Sequence, residues 1–196
     1  MGSKELKAEL RKQALARRDA IDPVSRIEMS LAVAEFAAPH IIFEPGTIIA
    51  GFLPIRSEID LRPLMDILRQ RGARLCLPVV MDKTTIVFRE LVRGAALVDT
   101  GFGTSGPGPD ATVLDPQILL MPLSVYDGQG NRIGYGAGHY DRAIRRLLAK
   151  DIQPQRIGFA FSVQEVDDVP FEDHDVPLDA IVTEKGFHRF RAGGKA

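Results

Sequence analysis

Apolar residues at helical spacing predict two helices at the start of the chain. Residues 4–20 are nearly all strong helix formers and include neither Gly nor Pro. Their apolar stripe repeats at every fourth position: Leu6, Leu10 and Ala14. Asp22 and Pro23 end this helix and begin a second one that runs to about residue 38, because Asp caps a helix and Pro is tolerated in its first turn.

Farther along, short apolar runs bounded by Gly and Pro predict buried strands. The predicted strands are 47–54, 74–80, 85–91, 118–127, 156–161 and 180–184. Two further helices are predicted, one over 60–70, capped by Asp60 and closed by Gly72, and one over 143–150. Residues 101–111 are rich in Gly and Pro and are expected to form a loop. Strands that alternate with helices and are apolar on both faces indicate an α/β fold with a mainly parallel sheet.

Composition and charge restrict the class of protein. The 196 residues suit a single domain over 1–196, and a hydrophobic share of 45% allows a large core. A formal net charge of −1 gives no general attraction to nucleic acid or to an anionic membrane, so neither is expected as a partner. No apolar segment approaches the ~18–20 residues that cross a bilayer. The single cysteine, Cys76, excludes an internal disulfide and favours a cytoplasmic protein with a buried thiol.

The segment 131–142, NRIGYGAGHYDR, follows a predicted strand and precedes a helix. Its glycines alternate: Gly134, Gly136 and Gly138. They remove Cβ atoms where backbone N–H groups can surround an anion, and the following helix adds its N-terminal amides. Arg132 and Arg142 supply cations for phosphate oxygens. The spacing matches neither the Walker loop nor the dinucleotide G-x-G-x-x-G motif. The alternative is that the glycines only form a strained connection, but the flanking arginines favour an anion site.

Asp141 lies beside this predicted phosphate site, where a carboxylate would repel phosphate unless a cation intervenes. Mg²⁺ commonly binds one or two carboxylates together with phosphate oxygens, so Asp141 is a candidate magnesium ligand. A second ligand is expected from an acidic segment before the last predicted strand: Glu172, Asp173, Asp175 and Asp179. Most acids in such a loop are solvated or act as caps, and this alternative stays open for each of them.

The glycine-rich segment resembles the signature of the 5-formyltetrahydrofolate cyclo-ligase family, GNR(L/I)G(Y/F)GxG(Y/F)YD, in length, order and residue types. Residues 7–26, 52–60 and 173–184 resemble the family's N-terminal helix, first strand and C-terminal segment. The resemblance covers nearly the whole chain and implies a three-layer α/β/α sandwich. It also implies an enzyme that uses ATP to convert 5-formyltetrahydrofolate into 5,10-methenyltetrahydrofolate, with release of ADP and phosphate.

The implied reaction transfers the γ-phosphoryl group to the formyl oxygen, after which N10 attacks the formyl carbon and phosphate leaves. Such chemistry depends on positioning and charge neutralisation more than on a protein nucleophile. The sequence is consistent with this scheme, because it has no recognisable Ser-His-Asp or Cys-His arrangement.

Matched residue by residue, the resemblance implies sites for ATP, folate and magnesium. The ATP site comprises Lys7, Ala8, Glu9, Leu10, Arg11, Arg132, Ile133, Gly134, Tyr135, Gly136, Ala137, Gly138, His139 and Tyr140. The folate site comprises Leu53, Glu58, Tyr135, Gly136, Ala137, Gly138 and His139. The magnesium-linked acids are Asp141 and Asp175, and the catalytic residues are Arg132 and Tyr140.

Several of these positions have other interpretations. Lys7 and Arg11 are i, i+4 on one helix face and would otherwise form a solvated basic surface. Glu58 could be an ordinary surface acid near a helix. Two positions depart from the family pattern. Ala137 stands where the family often has Gly or Lys, and His139 stands where it usually has Tyr or Phe. Gly106 replaces the Glu of a frequent Glu-Pro pair.

Two other classes of function remain open on the sequence. One is a sugar-phosphate isomerase or CoA transferase on a similar scaffold, which needs a positioned base or a nucleophilic Glu and no ATP. The other is a folate- or nucleotide-binding module without catalysis. The expected partners are small molecules, and the expected state is a monomer, with a dimer as the alternative.

Overall fold

A computed structural model describes residues 2–101 and 103–190. Within them four α-helices are formed: α1 Ser3–Asp19, α2 Pro23–Ala37, α3 Arg62–Gln70 and α4 His139–Leu148. The strands are β1 Ile48–Ala50, β2 Arg74–Val80, β3 Ile86–Glu90, β4 Leu97–Gly101, β5 Thr104–Pro107, β6 Val113–Leu114, β7 Ile118–Pro122, β8 Val125–Tyr126, β9 Arg132–Ile133, β10 Gln155–Phe159, β11 Ala180–Thr183 and β12 Gly186–Arg189. A short 3-10 helix spans Ser162–Gln164.

Eight strands form the main sheet, in the order β12-β11-β10-β7-β1-β2-β3-β6. The five central strands, from β11 to β2, are parallel to one another. For example, Ile49 in β1 lies opposite both Leu75 in β2 and Ile118 in β7. Antiparallel pairs occur only toward the edges of this sheet, where β12 follows β11 and β3 lies between β2 and β6. The prediction of a mainly parallel sheet is therefore confirmed.

Both faces of the sheet are covered, which explains why its central strands are apolar throughout. Alternate residues of β7 point to opposite faces: Leu120 packs with the buried residues of α2 and α3, and Leu119 packs with those of α4. Both leucines have no exposed surface. Two helical layers with a sheet between them form the three-layer α/β/α sandwich that the family resemblance implied.

Helix α1 belongs to neither of these layers. Its buried Ala14 packs against Val125 and Ile133, which lie in the β8–β9 hairpin, and against Val169. Arg17 of α1 also donates to the Val163 carbonyl at 2.7 Å. These contacts place α1 beside the loops that follow β7 and β10, at the carboxyl edge of the sheet.

Several predicted boundaries were wrong, chiefly near the glycine-rich segment. The predicted strand 118–127 divides into β7 and β8, because β8 leaves the main sheet to pair with β9. The predicted helix 143–150 begins earlier, at His139, inside the glycine-rich segment. The predicted loop 101–111 contains β5, which pairs with β4 as a hairpin.

Other predicted elements agree more closely or differ only in extent. The predicted strand 47–54 is regular only in β1, and β12 follows β11 without having been predicted. The third helix is close to its prediction: Asp60 accepts the Arg62 N–H at 3.0 Å, and Gly72 lies just beyond the helix at a φ of +96°. A single domain over 1–196 stays a prediction, and it includes residues 191–196, which lie outside the described part of the chain.

Candidate active site

The residues implied in function gather at the carboxyl edge of the sheet, where ligands bind in open α/β folds. They come from four segments: helix α1, the loop 51–58 after β1, the turn 131–141, and the loop 172–176 before β11. We call 134–138 the glycine turn. Folding brings these segments together although they are far apart in the sequence: Lys7 and Asp175, which are hydrogen-bonded, are 168 positions apart.

Asp127 organises the approach to the glycine turn. It has no exposed surface, and one carboxylate oxygen accepts the N–H groups of Gln129 and Asn131 at 2.9 and 3.0 Å. The other accepts the Asn131 side chain at 2.9 Å and the Val169 N–H at 3.0 Å. Sequence reasoning missed this role, although an Asp at the end of a buried run was a usable signal.

Two glycines of the turn are required by its backbone. Gly136 and Gly138 have φ values of +100° and +64°, in the region that side chains disfavour. A Cβ atom on Gly136 would lie 3.4 Å from the guanidinium of Arg11, and one on Gly138 would lie 3.1 Å from that of Arg142. The turn therefore requires glycine at these two positions, and the missing Cβ atoms also let two cations approach the backbone.

Lys7 and Arg11 of α1 are partly buried and face the site, so the interpretation of a solvated basic surface was wrong for these two residues. Arg11 donates to the Gly134 carbonyl at 2.8 Å, and burial lowers the pKa of its guanidinium. Lys7 donates to Asp175 at 2.5 Å and to Glu172 at 3.2 Å. Burial of the ammonium opposes its charge, but these two carboxylates outweigh that cost and raise the pKa of Lys7.

Arg132 and Asp141 form an ion pair beneath the turn. Arg132 Nη2 donates to Asp141 Oδ1 at 2.7 Å, and the two side chains are only 6% and 16% exposed. The Val176 N–H donates to the same oxygen at 3.2 Å. This contact brings Asp141 against the segment that follows Asp175.

Two buried donors at this position have no partner among the described residues. They are the Nε of Arg132 and the hydroxyl of Tyr140. Burial, reinforced by the charge of Glu58, raises the pKa of Tyr140, so its hydroxyl keeps its proton. Because buried polar groups in proteins are nearly always hydrogen-bonded, these two indicate a place for acceptor atoms of a ligand.

The acids near the turn suit a magnesium ion in their chemistry. Both hydrogen bonds to Asp141 fall on Oδ1, so among the described residues none reaches its other carboxylate oxygen. Carboxylate oxygens are the donors that Mg²⁺ prefers. Glu172, His174 and Asp175 also place ligand atoms within 4.8 Å of one another. Since Lys7 already neutralises two members of that group, we assign no separate ion to it.

Glu58 is not a surface acid, because it is only 7% exposed. Its Oε1 accepts the Tyr135 hydroxyl at 2.5 Å, and its Oε2 accepts the Ile55 N–H at 2.9 Å. Burial raises the pKa of Glu58, while these hydrogen bonds and the charge of Arg18 act in the opposite direction. Arg18 donates to the Tyr135 hydroxyl at 2.9 Å and was missed by the sequence analysis.

The remaining implied residues fall into three groups. Leu10 and Ile133 pack in the small core under α1, and Leu53 packs against the larger core below the loop 51–58. Ala8 and Glu9 face solvent, and Glu9 pairs with Gln13 rather than with the turn. Ala137 is exposed in the turn.

The β2–β3 connection closes one side of the turn. His139 Nε2 lies 3.2 Å from the Asp82 carbonyl, and Arg142 donates to the Thr84 carbonyl at 2.6 Å. Arg142 also donates to the Ala137 carbonyl. These two hydrogen bonds engage Nε and Nη2 and use two of the five N–H donors of the guanidinium.

Comparisons with known proteins identify the family of this chain. The model of the 5-formyltetrahydrofolate cyclo-ligase family matches residues 3–184. A 5-formyltetrahydrofolate cyclo-ligase from Escherichia coli is 30% identical over 177 residues, which cover 85% of this chain and 94% of the relative. One from Mycolicibacterium smegmatis is 30% identical over 148 residues, which cover 71% and 75%.

Solved structures give the same result. A 5,10-methenyltetrahydrofolate synthetase from Aquifex aeolicus has a TM-score of 0.79 and 28% identity, with 97% of this chain and 96% of that chain covered. The synthetase from Mycoplasma pneumoniae, at 24% identity and a TM-score of 0.73, shows the shared fold. The chain therefore belongs to the 5-formyltetrahydrofolate cyclo-ligase family, a family of ligases, and the alternative of an isomerase or CoA transferase is not supported.

Proposed function

We propose that this member of the family uses ATP to close 5-formyltetrahydrofolate into 5,10-methenyltetrahydrofolate, with release of ADP and phosphate. Its relatives carry the name of this reaction, and the four segments at the carboxyl edge of the sheet supply groups that suit it. The observation that carries the proposal is the pair of buried donors without partners, Arg132 Nε and the Tyr140 hydroxyl, beside the glycine turn.

A formamide oxygen is a poor leaving group, so the proposed reaction first transfers the γ-phosphoryl of ATP to it. N10 then attacks the formyl carbon and loses its proton, the ring closes, and the C–O bond breaks as phosphate departs. Negative charge develops on the transferred group throughout. Preorganised donors aimed at such charge commonly account for much of the rate, and no protein nucleophile is required.

The proposed ATP site is the glycine turn together with the face of α1 that lies against it. Lys7 and Arg11 would neutralise phosphate oxygens, and backbone N–H groups freed of Cβ atoms would surround them. Arg132 and Tyr140 would donate to the reacting group through the atoms that lack partners. Of the segment 7–11, Ala8 and Glu9 are placed here by resemblance alone, because their side chains face solvent.

Mg²⁺ is the proposed cofactor, and Asp141 and Asp175 are the residues that would hold it. When bound, the ion would supply positive charge to the phosphate oxygens of ATP. Arg132 holds Asp141 in place through Oδ1, and Lys7 does the same for Asp175 through Oδ2. These cations also keep the two acids from repelling the nucleotide before the ion arrives.

The proposed folate site lies on the other side of the turn. Glu58 would accept hydrogen bonds from N–H groups of the pterin ring, and Leu53 and Tyr135 would form apolar walls. Tyr135 is 43% exposed, so part of its ring is available for such contact. His139 and Gly136 to Gly138 would separate the folate from the nucleotide.

The decisive experiment follows the near-ultraviolet absorbance of the methenyl product with purified protein, ATP and Mg²⁺. We expect product and ADP to form in equal amounts, and neither to form without ATP. Turnover without nucleotide would contradict the proposal. So would binding of both substrates without ADP release, which would instead indicate a binding module.

Three further expectations accompany the proposed function. We place the enzyme in the cytoplasm and expect a monomer whose single domain spans residues 1–196. No helix among residues 2–101 and 103–190 is both long and apolar enough to cross a membrane. Analytical ultracentrifugation would test the monomer directly.

A further inference from the structure

We propose that Arg18 is a positioning residue for the folate side of the site. Arg18 makes the Tyr135 hydroxyl a donor to Glu58, so that Glu58 meets the substrate only as an acceptor of hydrogen bonds. This inference rests on the proposed function, because it concerns the site assigned to the pterin ring.

Arg18 is one of the most deeply buried large side chains in the described part of the chain. It lies near the end of α1 and is 1% exposed. Its Nε donates to the Ser57 hydroxyl at 2.9 Å, and its Nη1 donates to the Tyr135 hydroxyl at 2.9 Å. Burying an arginine is costly unless it is paired and hydrogen-bonded. If this position only filled space in the core, it would not require a guanidinium group.

With Glu58 ionised, the donors and acceptors in this network have one arrangement. A guanidinium has no acceptor, so the Tyr135 oxygen must accept from Arg18. The single proton of Tyr135 then points to Glu58 Oε1, 2.5 Å away. Glu58 Oε2 accepts the Ile55 N–H at 2.9 Å, so both oxygens of the carboxylate act as acceptors.

A carboxylate in this state still has acceptor positions for a ligand. An ionised carboxylate offers about four lone-pair positions, and the hydrogen bonds of Glu58 to the described residues occupy two of them. A pterin ring that presents N–H donors would fill the rest. Without Arg18 the Tyr135 hydroxyl could rotate and Glu58 could take up a proton. Either change would weaken recognition of those donors.

The network also joins three segments that are far apart in sequence. Arg18 is 39 positions from Ser57 and 117 from Tyr135. Ser57 is also bound to α1 directly, because its hydroxyl donates to Asp19, the last residue of that helix. Arg18 therefore fixes the loop that carries Glu58 against the turn that carries Tyr135. Its contacts include no residue assigned to ATP alone.

The test combines steady-state kinetics with calorimetric binding of 5-formyltetrahydrofolate in the absence of ATP. For Arg18→Met we expect the KM and Kd for the folate to rise about tenfold or more, as for loss of a hydrogen bond that involves charge. The KM for ATP should stay within about twofold. Arg18→Lys, which keeps the charge and a donor, should recover part of the folate affinity.

Arg17→Met is the matched control. Arg17 is the adjacent arginine of the same helix and also donates to a distant carbonyl, but it is exposed and does not contact the network. Its folate affinity should equal that of the wild type. A double-mutant cycle of Arg18→Met with Tyr135→Phe gives an independent measure. If Arg18 acts through Tyr135, the two losses of folate affinity should not add. The double variant should then bind folate no more weakly than whichever single variant binds it more weakly.

The outcomes separate this inference from the proposed function. Wild-type protein that binds folate but lacks ATP-dependent turnover would overturn the function and leave the binding test of Arg18 valid. Wild-type folate affinity in Arg18→Met, equal losses of folate and ATP affinity, or additive effects in the cycle would overturn the role of Arg18. Should Arg18→Met fail to fold, Arg18→Lys and Ser57→Ala answer the same question, and wild-type folate affinity in both would refute the proposal.

Discussion

Arg132 and Asp141 lie nine positions apart in the glycine-rich segment and form an ion pair, with Nη2 donating to Oδ1 at 2.7 Å. The pair is mostly buried, and the Nε of Arg132 has no hydrogen-bond partner among the described residues. One side chain thus holds an acid in position and keeps a second donor available for a ligand. This double use makes Arg132 the most informative residue to change.

We expect Arg132→Lys to lower kcat by about 100-fold or more, because a lysine cannot hold Asp141 and offer a second fixed donor at once. Arg132→Ala should lose activity and also destabilise the fold by about 3–5 kcal/mol, since it leaves a buried carboxylate unpaired. Kinetics and urea unfolding of both variants measure these effects. Near-wild-type kcat in Arg132→Lys would contradict the assigned role.

Gly136→Ala should weaken ATP binding and destabilise the protein. Its φ of +100° is disfavoured for alanine, a strain of about 1–3 kcal/mol, and the new Cβ would lie 3.4 Å from the guanidinium of Arg11. Gly128→Ala is the control, because no atom lies within 4 Å of its Cβ position. Thermal unfolding and the KM for ATP should change in the first variant and not in the second. Equal behaviour of the two variants would argue against the turn as the nucleotide site.

Lys7→Met should raise the KM for ATP about tenfold or more and leave the KM for folate within about twofold. The variant removes the cation between Glu172 and Asp175, so it also leaves two acids facing the nucleotide. Lys4→Met, an exposed lysine of the same helix, is the matched control and should behave like the wild type. Steady-state kinetics with each substrate varied in turn measure the effect. An equal rise of the KM for ATP in both variants would indicate a general effect of the removed positive charge instead.

Removal of Mg²⁺ with a chelator should abolish turnover, and added Mg²⁺ should restore it. Asp141→Asn and Asp175→Asn should need about tenfold or more Mg²⁺ for half-maximal activity, because each removes one charged ligand. Asp173→Asn, an exposed acid in the same loop, should titrate like the wild type. Unchanged Mg²⁺ dependence in Asp141→Asn would remove it from the proposed metal site.

Cys76 should be inert toward thiol reagents in the native protein. It has no exposed surface, lies under the Ile49 carbonyl at 3.7 Å, and burial raises its thiol pKa, so little reactive thiolate forms. Labelling at pH 8 should therefore occur only through unfolding, and urea should accelerate it in step with the loss of helical signal. Fast labelling of folded protein would contradict the burial of β2.

Much of the fold could be predicted because the spacing of apolar residues and the capping residues within each segment indicate its helix or strand. The helix over 62–70 and the strand over 74–80 have clear boundary signals, and both were found close to their predicted positions. The short strand β9 could not be found, because two residues have no periodicity of their own. It forms only when β8 turns out of the sheet to pair with it.

For the site, the sequence by itself determined the chemical groups that were available. The glycines, the arginines beside them and Asp141 are adjacent along the chain, so a local pattern could identify them. Lys7 was found only through the family resemblance, because a single cation on a helix face has no distinguishing local signal.

Only the tertiary structure decided which groups meet and in which protonation and orientation. Arg18 follows Ala14 on the stripe of every fourth residue and Arg17 does not, but a charged side chain there gives no local sign of burial, and only the structure shows Arg18 buried against Tyr135 while Arg17 is exposed. The reason is physical: backbone periodicity depends on neighbouring residues, whereas burial and hydrogen-bond direction depend on segments that approach only after the chain has folded.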